Sequence, residues 1–154
     1  MLYQFDYFQL VREFSSPQLD LIMFAITWSY IIVLPILFYF FLKEKKGKQF
    51  VLLILFSYLF SISLKQIFKE QRPCKIENFP NISCENSYSF PSDHAVVLTS
   101  PLLILKRKKV YFAWLSLVLL SRIYLVQHYF HDVAIGFLIG LAISYFAKRF
   151  FGET

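Results

Sequence analysis

Charged residues are scarce in this 154-residue sequence. Asp, Glu, Lys and Arg make up 17% of it, whereas 57% of the residues are hydrophobic and 20% are aromatic. A chain with so few polar side chains cannot cover the surface of an ordinary soluble domain. Glycine is also scarce, with four residues, and we find no repeats, low-complexity tracts or linkers. We therefore predict a membrane protein with a single domain, residues 1–154.

Long hydrophobic runs occupy most of the chain. Those at 19–42, 50–68, 110–127 and 132–151 are long enough to cross, or nearly cross, a bilayer core of roughly 30 Å as helices. A fifth run, 95–105, is shorter. The predicted fold class is therefore all-α, an integral-membrane bundle of about five transmembrane helices. Ser16 and Pro17 suit the cap and the first turn of the opening helix.

The N-terminal segment, residues 1–14, lacks the basic start and the small-residue cleavage site of a signal peptide, so we expect no cleaved leader. Its pattern favours an amphipathic helix lying in the membrane interface, with a frayed aromatic tail as the alternative. The apolar face of that helix consists of Tyr3, Tyr7, Leu10, Val11 and Phe14, and the polar face consists of Asp6, Gln9, Arg12 and Glu13.

Basic residues are concentrated at one side of the predicted bundle. Ten of the sixteen lie within 43–48, 106–109 and 148–149. Because short loops rich in Lys and Arg stay on the cytoplasmic side, the C-terminus is predicted to be cytoplasmic and loop 69–93 to lie outside. The net charge of +6 is mostly explained by this topology, so we predict no nucleic-acid binding.

Cysteine is rare as well, and both residues, Cys74 and Cys84, fall in the long outer loop. In an oxidising compartment they can form a disulfide, and closing so short a loop would add roughly 2–3 kcal/mol to the stability. Two free thiols are the alternative. The predicted outer location favours the disulfide.

Ionisable side chains at the helix ends are the exception to the hydrophobic pattern. Such groups are costly in a membrane and need a partner or a function. They are Lys65, Arg72, Asp93, His94, Arg122, His128 and Asp132, with the polar Ser92 directly before Asp93. By the predicted topology all of them lie at outer helix ends, so we expect a single site at one membrane level.

The residue types in this set indicate phosphate chemistry. Lys65, Arg72 and Arg122 supply many donors for a multiply charged oxyanion, and arginine matches phosphate oxygens in a bidentate geometry. His128 and Asp132 are four residues apart, so a helix places them on one face. There the carboxylate can orient the imidazole for nucleophilic attack.

His94 begins a helix whose free amides also face outward, so it can protonate a leaving oxygen. A metal site is the alternative use of the acidic and histidine side chains, because His128 and His131 are three residues apart. Nearby cations would repel a divalent ion, so we predict neither metal nor cofactor. For His131 we expect an interfacial hydrogen bond. The alternative metal set is His94, His128, His131, Asp93 and Asp132.

Three separated segments resemble a known set of motifs. "KQIFKEQRP" has the form KxxxxxxRP, "PSDH" is similar to PSGH, and "SRIYLVQHYFHD" has the form SRxxxxxHxxxD. They resemble the signature motifs of the type 2 phosphatidic acid phosphatase superfamily, which includes membrane lipid phosphatases and soluble vanadium haloperoxidases. The match spans 65–132 and is highly specific in order and spacing.

The resemblance implies a helical bundle and a metal-independent reaction through a phosphohistidine intermediate. It assigns attack to His128, orientation of His128 to Asp132, and protonation of the leaving group to His94. The phosphate-binding groups that it implies are Lys65, Arg72, Arg122, Ser92 and the amide of Asp93, with Ser121 as a further candidate.

Asp93 stands where this family usually has glycine. Glycine lets the backbone approach the phosphate, so an aspartate side chain must point away and be neutralised by a lysine or an arginine. Family members similar to undecaprenyl diphosphate phosphatases can carry this aspartate, which favours an envelope lipid as substrate.

We therefore expect a lipid phosphatase of the bacterial inner membrane with an extracytoplasmic active site. Its partners are the bilayer and a lipid phosphate: undecaprenyl diphosphate, phosphatidylglycerophosphate, phosphatidic acid or lipid A 1-phosphate. A lipid phosphotransferase using the same intermediate and a non-catalytic lipid-phosphate binder or transporter are the alternatives. Gly136 and Gly140 form a GxxxG pair, which marks either a dimer face or a close contact within the bundle. A monomer is compatible with the sequence.

Overall fold

The computed structural model describes residues 15–76 and 83–151, together with Phe8, Val11 and Glu13. Regular secondary structure in these residues is helical, which confirms the all-α prediction. Most of the predicted interfacial helix, residues 1–14, lies outside the described part. The helices are α1 (Pro17–Trp28), α2 (Tyr30–Lys43), α3 (Gly47–Phe68), α4 (Pro73–Ile76), α5 (Asp93–Thr99), α6 (Lys108–Tyr124) and α7 (Phe130–Phe151).

Three helical stretches are long and apolar enough to cross a membrane. They are Pro17–Lys43, which joins α1 and α2, Gly47–Ile76, which joins α3 and α4, and Phe130–Phe151, which is α7. They correspond to the predicted runs 19–42, 50–68 and 132–151. The predicted run 110–127 is represented by α6, whose 17 residues extend about 26 Å at the helical rise.

The fifth predicted span, 95–105, is helical only in its first part. α5 ends two residues before Pro101, and turns follow through residue 104. Proline has no N–H with which to continue a helix. The hydroxyl of Tyr111 donates to the carbonyl oxygen of Leu98 at 2.7 Å. The short helix α5 is tolerated because a side chain of the neighbouring α6 binds a backbone oxygen that α5 leaves free.

The apolar core lies at one end of the bundle, where α2 ends and α3 and α6 begin. Its buried side chains include Phe41, Phe50, Leu53, Leu115 and Val118. The opposite end, where α3 and α6 end and α5 and α7 begin, holds most of the buried charged side chains. The fold thus separates an apolar interior from a polar site.

The glycine pair of α7 contacts α5. A Cβ atom at Gly136 would lie 2.8 Å from Ala95 Cβ, and one at Gly140 would lie 2.6 Å from Thr99 Cβ and 2.7 Å from Val96 O. Any larger side chain would push the two helices apart. The pair therefore brings α7 against its own bundle, and this contact fixes the position of the helix that begins with Asp93 and His94.

Replacing Gly140 by valine is expected to destabilise the bundle. The new side chain would collide with a backbone oxygen of α5, and overpacking of this kind costs about 1–3 kcal/mol. Thermal unfolding of the purified protein in detergent should show a lower midpoint for Gly140→Val. Ala142→Val, at an exposed position of the same helix, should barely change the midpoint. Equal effects of the two substitutions would contradict the close contact between α5 and α7.

Candidate active site

The polar end of the bundle brings together the residues that the sequence predicts for the site. Lys65 lies in the last turn of α3, and Arg72 follows that helix. Ser92, Asp93 and His94 lie at the start of α5, and Arg122 lies near the end of α6. His128 precedes α7, and Asp132 lies in its first turn. Apart from Asp93 and His94, each of these residues is 3% exposed or less. Buried charges require compensating partners.

Arg72 is completely buried, and each of its five N–H groups has an acceptor. Nε donates to Ser87 O at 2.9 Å. Nη1 donates to Gln127 O at 2.9 Å and to His128 Nε2 at 3.0 Å. Nη2 donates to Glu85 Oε2 and to Ser87 Oγ, both at 2.7 Å. Since a guanidinium has five N–H donors, the protein itself saturates this side chain.

The contact with Arg72 determines the tautomer of His128. Arginine can only donate, so His128 Nε2 accepts and carries no proton. The ring proton is then on Nδ1, which lies 3.4 Å from Asp132 Oδ2. Burial lowers the pKa of His128 well below its ordinary value, and the cations Arg72 and Arg122 lower this pKa further. The imidazole is therefore neutral and has a lone pair on Nε2.

Asp132 is held on the Nδ1 side of His128 by two donors. Its Oδ2 accepts from the hydroxyl of Ser89 and from the backbone N–H of Tyr129, the latter at 2.9 Å. The other oxygen, Oδ1, lies 3.2 Å from His131 Nε2. These contacts fix the carboxylate where it can orient His128. Ser89 was not assigned to the site from the sequence, because a serine in a polar loop produces no distinctive pattern.

The side chain of Asp93 is directed towards α3. Its Oδ1 accepts from Ser61 Oγ at 2.6 Å, and its Oδ2 lies 3.5 Å from Lys65 Nζ. Lys65 also donates to Tyr88 O at 2.7 Å and to Ser89 O at 3.2 Å. The carboxylate at the position of the usual glycine thus has the cationic neighbour that was expected for it.

Three buried donors of the site have no hydrogen-bond partner among the described residues: Arg122 Nε, Ser92 Oγ and His128 Nδ1, the last of which lies 3.4 Å from Asp132 Oδ2. Arg122 Nη2 does have an acceptor, Glu85 Oε1, at 2.5 Å. The ring of His94 lies edge-on to the ring of Tyr30, with the centroids 5.1 Å apart. Of these three donors, Arg122 Nε and Ser92 Oγ are available to an added oxyanion.

The site also contains Glu85, Ser87 and Gln127, which were not predicted from the sequence. Gln127 Oε1 accepts from the backbone N–H of Glu85 at 3.3 Å, and its Nε2 donates to Ser83 O at 2.9 Å. The preceding residue, Cys84, forms a disulfide with Cys74. Segment 83–85 is thus fixed from two sides. The sequence signal that could have identified Glu85 is the excess of predicted cations, because these cations require an acid nearby.

Two other side chains lie apart from the arginines. Ser121, a further phosphate-binding candidate, instead forms a 2.7 Å hydrogen bond with Thr27 of α1 and donates to Val118 O. His131 was expected to form an interfacial hydrogen bond, and its Nε2 lies 3.0 Å from Glu70 Oε1. We therefore give Ser121 no role in binding phosphate.

A metal could be held at a different group from the one considered in the sequence. Ligand atoms of Glu70, His131 and Asp132 all lie within 4.8 Å of one another, the one such group within the described ranges. His94 and His128 do not belong to it. Asp132 is shared with His128, so a metal bound there would compete with the orientation of the imidazole.

A polar cleft of about 740 Å³ lies beside the site and is lined by Lys65, Arg72, Glu85 and Asp93. An apolar groove of about 480 Å³ runs between α2 and α3. Tyr58 lines both of them. The polar cleft and the apolar groove therefore meet at this residue, an arrangement that suits a molecule with a charged head and an apolar tail.

Comparison with known proteins identifies the family. The sequence pattern of the PAP2 superfamily matches residues 46–154, a range that contains all three motifs. The chain belongs to the PAP2 superfamily. The predicted resemblance to type 2 phosphatidic acid phosphatases is thereby confirmed. Among curated proteins, none matches the chain closely enough to count as a relative.

Two solved structures share the fold. The first transmembrane PAP2 type phosphatidylglycerolphosphate phosphatase from Bacillus subtilis has a TM-score of 0.76 and 24% identity, over 93% of this chain and 81% of that one. Aquifex aeolicus LpxE has a TM-score of 0.73 and 26% identity, over 96% of this chain and 95% of that one. With the candidate spans, these folds support a multi-pass membrane protein.

Ser89→Ala is expected to slow phosphate release from a lipid phosphate by about tenfold or more, because a small displacement of an orienting group is costly in rate. The KM should change little, since Ser89 holds Asp132 and does not contact the arginines. Steady-state kinetics in detergent would separate kcat from KM. Ser63→Ala, an exposed serine of α3 bonded to its own helix, is the matched control. A raised KM with unchanged kcat would contradict this role of Ser89.

Proposed function

We propose that this PAP2 protein is an integral-membrane lipid phosphatase that hydrolyses a phosphomonoester or diphosphate of a membrane lipid. The observation that carries the proposal is the unprotonated Nε2 of His128, 3.0 Å from Arg72 and backed by Asp132. A nucleophile beside a guanidinium is suited to attack a phosphorus whose oxygens that guanidinium binds.

The lipid character of the substrate is supported by the junction at Tyr58. A phosphate in the polar cleft would lie beside Lys65 and Arg72, while an acyl or prenyl chain would follow the groove past Leu34 and Phe38. Binding sites of this kind combine an apolar lining with a few convergent polar groups. The substrate would not need to leave the bilayer to react.

In the proposed reaction the lone pair of His128 Nε2 forms a bond to phosphorus, and the bond from phosphorus to the leaving oxygen breaks. His94 donates its proton to that oxygen. The oxygen of water then bonds to the phosphorus of the phosphohistidine while the bond from phosphorus to Nε2 breaks, and water gives its proton to His94. This releases inorganic phosphate and regenerates neutral His128 and protonated His94. Burial and the neighbouring cations, Arg122 first among them, disfavour a positive charge on His94. A bound phosphate dianion would offset these cations and favour the protonated form. Asp132 stabilises the positive charge that develops on His128.

For its location we propose the bacterial inner membrane, with the site on the extracytoplasmic side and the C-terminus in the cytoplasm. The clusters of Lys and Arg at 43–48, 106–109 and 148–149 support this orientation. The candidate substrates are undecaprenyl diphosphate, phosphatidylglycerophosphate, phosphatidic acid and lipid A 1-phosphate. The Bacillus subtilis structure is described as a phosphatidylglycerolphosphate phosphatase, which makes that lipid a useful first substrate to test.

Purified protein is expected to release phosphate from at least one of these lipids, and His128→Ala should lower the rate by about a thousandfold or more. His131→Ala, which removes a neighbouring histidine that does not face Arg72, should have a far smaller effect. EDTA should leave the rate unchanged, since the proposed reaction uses no metal.

Colorimetric phosphate release measures these rates, and a labelled terminal phosphate distinguishes hydrolysis from transfer to a lipid acceptor. Activity that survives His128→Ala would contradict the assignment of the nucleophile. Activity only with added divalent metal would favour the group of Glu70, His131 and Asp132. Tight lipid-phosphate binding without any release would support a binder or transporter.

A further inference from the structure

Glu85 bridges the two arginines of the site. Its Oε2 accepts from Arg72 Nη2 at 2.7 Å, and its Oε1 accepts from Arg122 Nη2 at 2.5 Å. A carboxylate that accepts one N–H from each of two guanidinium groups occupies the donors that would bind a phosphate. The carboxylate therefore lies where a substrate phosphate has to bind these arginines.

Each cation of the site has at least one acceptor in this arrangement. Arg72 has an acceptor for each of its five N–H groups, Arg122 is paired with Glu85, and Lys65 is near Asp93 with two carbonyl oxygens as further acceptors. An incoming phosphate cannot gain a bond from Arg72 unless an existing partner leaves. Removing Glu85 from the pair of arginines would free a donor on each of them.

Glu85 is the exposed partner in this bridge. Its side chain is 43% exposed, whereas those of Arg72 and Arg122 are 0% and 3% exposed. Burial alone would raise the pKa of Glu85, but Arg122 and Arg72 outweigh burial and hold this pKa below its ordinary value. The group is therefore an anion at neutral pH, and it can rotate towards solvent while the arginines stay in place.

Two anchors hold the backbone of Glu85 beside the arginines. The disulfide from Cys84 to Cys74 joins the preceding residue to a position two residues after Arg72. Gln127 binds the N–H of Glu85 at 3.3 Å. The carboxylate therefore stays close to the site even when it leaves the arginines, and it competes as a tethered ligand at high effective concentration.

We infer that Glu85 is an internal competitor for the phosphate site, which occupies Arg72 and Arg122 in the resting enzyme and is displaced by the substrate phosphate. The inference rests on the proposed function and adds a determinant of phosphate affinity to it. The apparent affinity for phosphate is lower than the intrinsic affinity, because the carboxylate covers the arginines in a fraction of the molecules. The same competition favours the departure of the product phosphate.

The test measures binding of inorganic phosphate to the full chain in detergent micelles by isothermal titration calorimetry, without turnover. Glu85→Gln should tighten phosphate binding by about tenfold, because the neutral amide no longer competes as an anion. Glu85→Asp keeps the charge but is too short to bridge both arginines, so we expect a smaller tightening. This second variant decides the matter if Glu85→Gln does not fold.

Glu70→Gln is the matched control, since it removes the same charge from the same end of the bundle and its carboxylate contacts His131 instead of the arginines. It should change phosphate affinity far less. The inference is overturned if neither Glu85 variant binds phosphate more tightly than wild type, or if Glu70→Gln has an equal effect. A wild-type protein that binds phosphate but hydrolyses no lipid would contradict the proposed function alone, because these binding constants are obtained without turnover.

Discussion

Buried positive charge is the constraint on which the rest of this structure depends. Lys65, Arg72 and Arg122 lie among helix ends with almost no exposure, and unpaired cations there would be prohibitively costly. Segment 83–90 supplies much of the compensation, with carbonyl oxygens for Lys65 and Arg72 and the carboxylate of Glu85. The same segment carries Ser89, so compensation of charge and orientation of Asp132 come from one stretch of chain.

The second constraint is geometric. α5 spans seven residues, and Gly136 and Gly140 allow α7 to pack directly against it. This close contact brings Ser92 and His94 to the level of His128, because the first turns of α5 and α7 lie side by side. A packing change in the apolar interface between α5 and α7 would therefore also displace Ser92 and His94, which the proposed reaction needs.

The helices and the motif residues could be predicted from the sequence because both depend on side-chain type and spacing. Hydrophobic runs locate α3 and α7, and charged residues in a hydrophobic chain identify the site. The length of α5 could not be read in this way, since a run of apolar residues looks the same whether it is helical or turns after Thr99. Partners of Arg72 were also missed, because backbone carbonyls have no sequence signature. For Asp93 the need for a cation was predictable, while Ser61 as its donor was not.

The central claim is that His128 Nε2, kept unprotonated beside Arg72, forms a covalent bond to phosphorus. Rapid mixing of the protein with a labelled lipid phosphate, an alkaline quench that preserves phosphohistidine, and mass spectrometry of the peptide around residue 128 test it directly. The account predicts transient phosphate on His128 that disappears as inorganic phosphate is released. Turnover without phosphate on this residue, or with phosphate on another side chain, would contradict it.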